Sequence, residues 1–204
     1  MVLQDACIAK SGSLPEPGPL LLIPIRVPMT SENGDLWVFG YGSLMWRPGF
    51  DFVERVPGRL IGLHRALCVY SHVHRGTPER PGLVLGLDRG GACRGMTFRV
   101  AAKNRAATIQ YLREREQVTS VYLEVERVVT LSTSGEPRVR AVTYIADRGH
   151  SQYAGRLSLE QQLHIVRQGH GHSGANRDYV KNTVAAIEEQ GFRDAGLHWL
   201  ASHL

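Results

Sequence analysis

The order of the predicted elements indicates an α+β fold, in which strands dominate the first part of the chain and helices its end. Runs rich in β-branched and aromatic residues, bounded by glycine or proline, cluster early. Apolar residues recurring with a period near 3.6 dominate late. This segregation disfavours an alternating βαβ sheet. At 204 residues the chain is long enough to bury the core of one domain.

The individual elements follow from these patterns. Strands are predicted at residues 37–40, 59–70, 83–87, 92–100, 121–130 and 139–146, and helices at 103–114, 159–168, 177–190 and 194–203. Ser158 with Gln161 three residues later forms a capping box at one helix start. Residues 169–174 match the spacing GxGxxG but follow a helix, whereas a dinucleotide fingerprint follows a strand. We interpret them as a loop, with Asn176 or Ser173 capping the next helix.

Residues 1–35 differ from the rest of the chain. They contain half of the ten prolines, and their apolar run at residues 20–23 is too short to span a bilayer and is followed by Pro24. No basic segment or cleavage site indicates a secretory signal. We expect an extended or disordered arm, with Met29 as an alternative translation start, followed by one globular domain at residues 36–204.

Composition excludes several function classes. The net charge of +5 comes from scattered arginines without a basic run, so nucleic-acid binding is disfavoured. No segment predicts a membrane span. The three cysteines have no CxxC spacing, which disfavours a zinc site or a disulfide framework and fits the reducing cytoplasm. His72 and His74 share one face of a strand, but no third ligand follows with convincing spacing, so we expect no metal.

A glycine-rich turn follows the first predicted strand. Gly40 and Gly42 flank Tyr41, and Ser43 comes next. Glycines this close indicate a bend, where bare N–H groups can cradle an anion or an oxyanion. A hairpin entry without a ligand explains the same residues equally well. Ser43 lacks the flanking glycines of a nucleophile elbow, so we interpret it as a turn residue.

Glu116 is a candidate proton acceptor. It lies where the predicted helix pattern ends, just before the strand at residues 121–130. A half-buried carboxylate at a helix end has a raised pKa and can serve as a base near neutrality. A solvent-exposed Glu/Arg helix face is the alternative, and position alone favours that alternative.

Together these segments resemble the ChaC-like family of γ-glutamylcyclotransferases, which act on glutathione. The resemblance rests on Gly40-Tyr41-Gly42-Ser43-Leu44, Met45-Trp46-Arg47-Pro48-Gly49-Phe50, His74-Arg75-Gly76, Tyr111-Leu112-x-x-Arg115-Glu116 and Ser173-Gly174-x-Asn176-x-Asp178-Tyr179, in this order. It extends over residues 37–187. The chain departs from the family after Glu116, where glycines are missing, and at residues 153–158, which are poorer in proline. These departures concern substrate range more than reaction class.

The resemblance implies a small mixed β-barrel with packed helices and a reaction without metal or organic cofactor. It implies that Glu116 is the general acid and base of an intramolecular ring closure. Substrate binding is implied for Val38, Phe39, Gly40, Tyr41, Gly42, Ser43, Leu44 and Tyr179. Arg75 is a weaker candidate for a substrate carboxylate, and a core role for Tyr179 remains an alternative.

Two other functions remain open. One is a cyclotransferase for other γ-glutamyl amines or amino acids. The other is a non-catalytic γ-glutamyl-binding regulator linked to cation transport. Glu116 argues against the regulator, because a binder of a zwitterion has little use for a buried base. The oligomeric state does not follow from the sequence.

Overall fold

The computed structural model describes residues 34–117 and 120–204. The strands are β1 (Leu36–Gly40), β2 (Glu54–Ser71), β3 (Gly82–Val100), β4 (Tyr122–Leu131), β5 (Arg138–Ala146), β6 (His170–Gly171) and β7 (Gly174–Ala175). The helices are α1 (Arg105–Glu116), α2 (Leu159–Gln168), α3 (Asn176–Glu189) and α4 (Ala195–Ser202), and short 3₁₀ turns lie at Ser43–Met45 and Ala102–Asn104. The predicted arm at residues 1–35 lies outside the described residues except for Gly34 and Asp35.

Five strands form a closed barrel in the order β1-β3-β2-β4-β5. All neighbouring pairs are antiparallel except β1 and β5, which pair in parallel where Val38 meets Val142. The α+β class and the mixed barrel with packed helices are therefore confirmed. The barrel places the end of β1, and so the glycine-rich turn, at one rim.

The predicted strands at 83–87 and 92–100 are one continuous strand, β3. Gly90 and Gly91, which lie between the two predicted strands, have φ angles of 98° and 67°, and the pairing with β2 shifts between Ile61 and Leu63. Glycine adopts this conformation readily, so the pair forms an irregularity within the ladder rather than the end of a strand. Irregularities of this kind let two long strands bend around the barrel.

The helices match the predictions closely, apart from one cap. Both hydrogen bonds of the capping box between Ser158 and Gln161 are present. Neither Asn176 nor Ser173 caps α3, whose N-cap is Ala175 without a side-chain bond. Asn176 is instead fully buried, accepting from the Leu83 N–H at 2.7 Å and donating to the Leu83 carbonyl at 2.8 Å. It therefore fastens the start of α3 to β3.

Two parts of the core position the site. The larger cluster includes residues of the barrel, such as Phe39 and Phe98, and of the late helices, such as Ile187 and Leu200. A second cluster packs Leu112 of α1 with Leu44 of the turn and with Val38 and Tyr144. Because Leu112 is buried against the turn, the end of α1 lies beside the rim where β1 ends.

No helix among the described residues is long and apolar enough to cross a membrane. Within the same residues, no group of three or more histidine, cysteine or acidic side chains could hold a metal ion. Cys68 and Cys93 are buried free thiols. Burial raises the pKa of the Cys68 thiol to about 12, so this thiol is not a reactive nucleophile.

Candidate active site

The glycine-rich turn presents unpaired backbone donors at the rim of the barrel. The Met45 N–H donates to the Gly42 carbonyl and the Arg47 N–H to the Ser43 carbonyl, both at 2.8 Å. The N–H groups of Gly42, Ser43 and Leu44 have no hydrogen-bond acceptor among the described residues. A Cβ at Gly40 would lie 2.9 Å from Cβ of Leu44, so only glycine allows the turn to close this tightly.

This turn forms one wall of a cavity of about 410 Å³, within the usual size of small-molecule sites. The cavity is lined by Tyr41, Gly42, Ser43, Leu44, Trp46, Arg47, His74, Arg75, Val84, Leu85, Arg115, Glu116, Tyr122, Tyr144, Ser173, Tyr179, Asn182 and Thr183. Most of the predicted site residues thus come together. Val38 and Phe39 lie in the core and, like Gly40, do not line the cavity. A part for these three in substrate binding remains a prediction.

Glu116 is the last residue of α1 and lines the cavity with a side chain that is 18% exposed. Burial raises the pKa of this carboxyl above its ordinary value, and the neighbouring Arg115 opposes that rise. The Arg115 guanidinium lies 3.2 Å from Oε1 of Glu116. A carboxylate with a raised pKa and one cationic neighbour can accept a proton and return it within one reaction cycle.

Arg115, which we did not single out from the sequence, connects α1 to the turn. Its Nη2 donates to Oγ of Ser43 at 2.9 Å, and its Nη1 donates to the Arg47 carbonyl at 2.6 Å and to the hydroxyl of Tyr111 at 3.0 Å. The residue just before Glu116 therefore fixes the distance between the carboxylate and the glycine-rich turn. Its position beside Glu116 in a family motif was the only sequence signal.

Three tyrosines, Tyr41 of the turn, Tyr122 and Tyr179, also line the cavity. The Leu85 N–H donates to the hydroxyl oxygen of Tyr179 at 3.2 Å, and the Tyr122 hydroxyl donates to the Leu85 carbonyl at 2.7 Å. Burial raises the pKa of Tyr41, Tyr122 and Tyr179, and the charge of Glu116 adds to the rise. The hydroxyls stay protonated at neutral pH. Tyr179 accepts from Leu85 and so retains its own O–H to donate.

The loop that matched GxGxxG closes one side of the cavity. It forms the β6–β7 hairpin, whose His172 and Ser173 N–H groups donate to the carbonyls of Val73 and His74. The His74 ring bonds Oγ of Ser173 at 3.0 Å. The ring of His74 therefore packs against this hairpin.

Two arginines present cations to the cavity. Arg75 donates to the Ser173 carbonyl at 2.5 Å and lies 5.3 Å from the ring centroid of Tyr179. The Arg47 side chain lines the cavity and has no hydrogen bond or ion pair with another described residue. The buried Thr183 also lines the cavity. Neither Arg47 nor Thr183 was predicted from the sequence.

Known proteins are similar to this chain in sequence and in fold. A family model described as "ChaC-like protein" matches residues 36–204. The glutathione-specific γ-glutamylcyclotransferase of Escherichia coli is 31% identical over 167 residues, covering 82% of this chain and 71% of that protein. The γ-glutamylcyclotransferase 2-3 of Arabidopsis thaliana is 34% identical over 178 residues, covering 83% of this chain and 88% of that protein.

The solved structures agree on the fold. A γ-glutamylcyclotransferase specific to glutathione from yeast has a TM-score of 0.74 at 22% sequence identity, covering 82% of this chain and 94% of that one. At this identity the likeness concerns the arrangement of the barrel and helices. The glycine-rich turn, α1 and α3 all lie within the residues that the family model matches.

Proposed function

The chain belongs to the ChaC-like family, and from this we propose that it is a γ-glutamylcyclotransferase that converts glutathione into 5-oxoproline and cysteinylglycine. One observation carries the proposal beyond family membership. The carboxylate of Glu116 and the unpaired N–H groups of Gly42, Ser43 and Leu44 border the same cavity. Ring closure of a γ-glutamyl amide needs these two elements, a base and a set of oxyanion donors.

The proposed chemistry is intramolecular. The substrate α-ammonium first releases one proton to become a free amine, which attacks its own γ-carbonyl carbon. The C–N bond to cysteine breaks, and the second proton lost by the attacking nitrogen passes to the departing amine, which takes up one more proton from solvent. Nucleophile and electrophile belong to one molecule, so a correctly held conformer gains an effective molarity of about 10⁵–10⁸ M. No water and no covalent enzyme intermediate are needed. Glu116 accepts the second of these protons, lost as the ring closes, and then returns it to the leaving nitrogen.

Substrate recognition divides between the turn and the arginines. We propose that the turn from Tyr41 to Leu44 holds the γ-glutamyl end through backbone N–H groups, because these donors lack partners among the described residues. The Tyr179 hydroxyl is positioned by Leu85 to donate a further hydrogen bond. Arg75, held against Ser173 and Tyr179, is proposed to bind the glycyl carboxylate, and Arg47 adds a second cation to the cavity. Charge-assisted hydrogen bonds of this kind favour a substrate with two carboxylates.

We further propose that the protein acts in the reducing cytoplasm on this small molecule, without nucleic acid or membrane partners. The free thiols of Cys68 and Cys93 suit that compartment. The catalytic domain is proposed to comprise residues 36–204, the range that the family model matches.

A substrate panel tests the proposal. Purified, metal-stripped protein is incubated with glutathione, γ-glutamylcysteine and γ-glutamylalanine in H₂¹⁸O, and 5-oxoproline is quantified by mass spectrometry. We expect unlabelled 5-oxoproline from glutathione and much less product from the dipeptides, which lack the glycyl carboxylate. Labelled glutamate instead would indicate hydrolysis and contradict ring closure.

The other outcomes identify the competing functions. A preference for the dipeptides would keep the reaction and change the substrate. Binding of glutathione without product would favour a regulatory module linked to cation transport. Activity that requires added zinc would contradict the metal-free mechanism.

A further inference from the structure

Arg65 of β2 is a buried arginine that holds the glycine-rich turn from the side away from the cavity. Its side chain is 6% exposed. Its Nε donates to the Tyr41 carbonyl at 2.5 Å, and its Nη2 donates to the Arg94 carbonyl at 2.8 Å. Nη2 also lies 3.5 Å from Sδ of Met45, and Nη1 lies 3.6 Å from the carboxylate of Asp194. The planar guanidinium thus has a partner on each of its nitrogens.

A buried charge is costly, so the burial of Arg65 suggests that its guanidinium has a specific role. Taking an ion out of water is unfavourable unless its hydrogen bonds are well satisfied, and an apolar side chain of similar volume often packs as well. Arg65 does not line the substrate cavity. It lines a separate cavity with Arg94, Phe192 and Asp194. Its strongest contact with the site is therefore the backbone carbonyl of Tyr41.

This contact fixes the orientation of one peptide group. The carbonyl of Tyr41 and the N–H of Gly42 belong to the same peptide unit, which is planar and trans, so the two groups point in opposite directions. Arg65 draws the carbonyl outward, and Gly42 lines the cavity. The Gly42 N–H, which has no acceptor among the described residues, is consequently directed inward.

We infer that Arg65 is a positioning residue that orients the Tyr41–Gly42 peptide and thereby directs the Gly42 N–H at the oxyanion formed on the substrate γ-carbonyl. The positive charge of Arg65, which lies beside the Tyr41 carbonyl oxygen, also polarises the peptide group and strengthens the Gly42 N–H as a donor. The inference rests on the proposed function, since it assigns that donor to the ring-closure reaction.

The first test is Arg65→Lys, assayed for glutathione turnover. A lysine carries one nitrogen and cannot reach Tyr41, Arg94 and Asp194 together. We expect kcat to fall about tenfold to a hundredfold, less than the ~10²–10³-fold cost of losing a whole oxyanion donor. KM should change little, because the interaction develops in the transition state. Unchanged kcat, or a rise in KM alone, would refute the inference.

Asp194→Asn is the matched control. It removes the charged partner of Arg65 but keeps the Nε contact with Tyr41, and asparagine still caps α4 by accepting from the Leu197 N–H as Asp194 does. Turnover should remain near that of the unchanged protein. A loss equal to that of Arg65→Lys would show that Arg65 serves only the local packing.

A measurement on the unchanged protein keeps the inference separate from the proposed function. The amide signal of Gly42 is followed by NMR while 5-oxoproline, which carries the former γ-carbonyl, is added. We expect this signal to shift at saturation, and to lie elsewhere in the Arg65→Lys spectrum before ligand is added. A Gly42 signal that 5-oxoproline does not move in the unchanged protein would refute the inference even if Arg65→Lys fails to fold, because Gly42 would then not contact the carbonyl. Absence of 5-oxoproline formation by the unchanged protein would refute the proposed function. The comparison of the ligand-free spectra of the unchanged protein and of Arg65→Lys would still test whether Arg65 orients the Tyr41–Gly42 peptide.

Discussion

Replacing Glu116 with glutamine removes proton acceptance while keeping the size and the hydrogen-bonding capacity of the side chain. The structure indicates that the site survives this change. Arg115 loses its 3.2 Å partner but keeps its bonds to Ser43, Arg47 and Tyr111. The lost ion pair is offset because a neutral amide costs less to bury than a carboxylate. We therefore expect the free energy of unfolding at neutral pH to change by no more than about 1 kcal/mol.

The catalytic effect should be much larger. Loss of a general acid–base group lowers rates by about 10²–10⁴-fold, which corresponds to roughly 3–5 kcal/mol of transition-state free energy. The loss should appear in kcat, since we propose that glutathione binding rests mainly on the turn and the arginines. The assay follows 5-oxoproline at saturating glutathione, with the glutathione dissociation constant measured by calorimetry.

Glu114→Gln is the control for Glu116→Gln. Glu114 lies on the same helix but is exposed and accepts a hydrogen bond only from Gln110, at 2.9 Å. The same chemical change there should leave kcat unaltered. Near-normal turnover in Glu116→Gln would show that another residue is the acid–base group. An equal loss of kcat in both variants would show that the substitutions perturb α1 rather than the function of the Glu116 carboxylate.

The raised pKa of Glu116 also predicts two pH dependences. The base must be ionised, so kcat/KM should rise through an apparent pKa above the ordinary glutamate value of 4.5. The folded protein binds this proton more tightly than the unfolded chain does, so the contribution of Glu116 to the unfolding free energy falls as pH rises from 4.5 through the folded pKa. The unfolding free energy of Glu116→Gln should not show this decrease with pH. A variant whose stability follows the same pH curve as the unchanged protein would contradict the raised pKa.

Two further predictions concern the turn and the arm. A Cβ at Gly42 would meet Leu85 at 3.6 Å, an ordinary contact, and φ of Gly42 is −129°, so Gly42→Ala should fold with an unchanged Tm. It should nevertheless lose more activity than Ser43→Ala, because the added methyl enters the substrate cavity whereas Ser43→Ala removes only a hydroxyl. Full activity of Gly42→Ala would favour the interpretation of the turn as a hairpin entry that binds no ligand. A protein starting at Met29 should keep its Tm and kcat, and loss of either would show that residues 1–28 contribute to the domain.

Local patterns were sufficient to predict most elements but not the closure of the barrel. Strand and helix periodicity located α2 to the residue and the other helices to within two residues, but it placed the start of β2 five residues late, divided β3 into two strands and did not predict β6 and β7. Closure depends on the pairing of Val38 with Val142, and nothing in either strand's own sequence specifies that partner. The resemblance to a family, rather than the periodicity, implied the barrel.

The same limit explains the misassigned cap and the missed residues of the site. Asparagine before a helix is a common cap, yet Asn176 bonds Leu83, 93 residues earlier in the chain. Arg115 contacts Ser43 across 72 residues, and Arg65 contacts Tyr41 across 24. In each case a tertiary hydrogen bond determines the role of the residue, and local sequence patterns do not report such contacts.

The glycine-rich turn is held from two sides by side chains of different elements. Arg115 of α1 binds Oγ of Ser43 and the Arg47 carbonyl on the side of Glu116, while Arg65 of β2 binds the Tyr41 carbonyl from behind. Glycines make the tight bend possible, but their conformational freedom would let the peptide groups rotate. Oxyanion donors are effective only if they are fixed before the charge develops. The two arginines supply that rigidity. Arg115 also contacts Glu116, so this one side chain determines the spacing between the proposed proton acceptor and the proposed oxyanion donors.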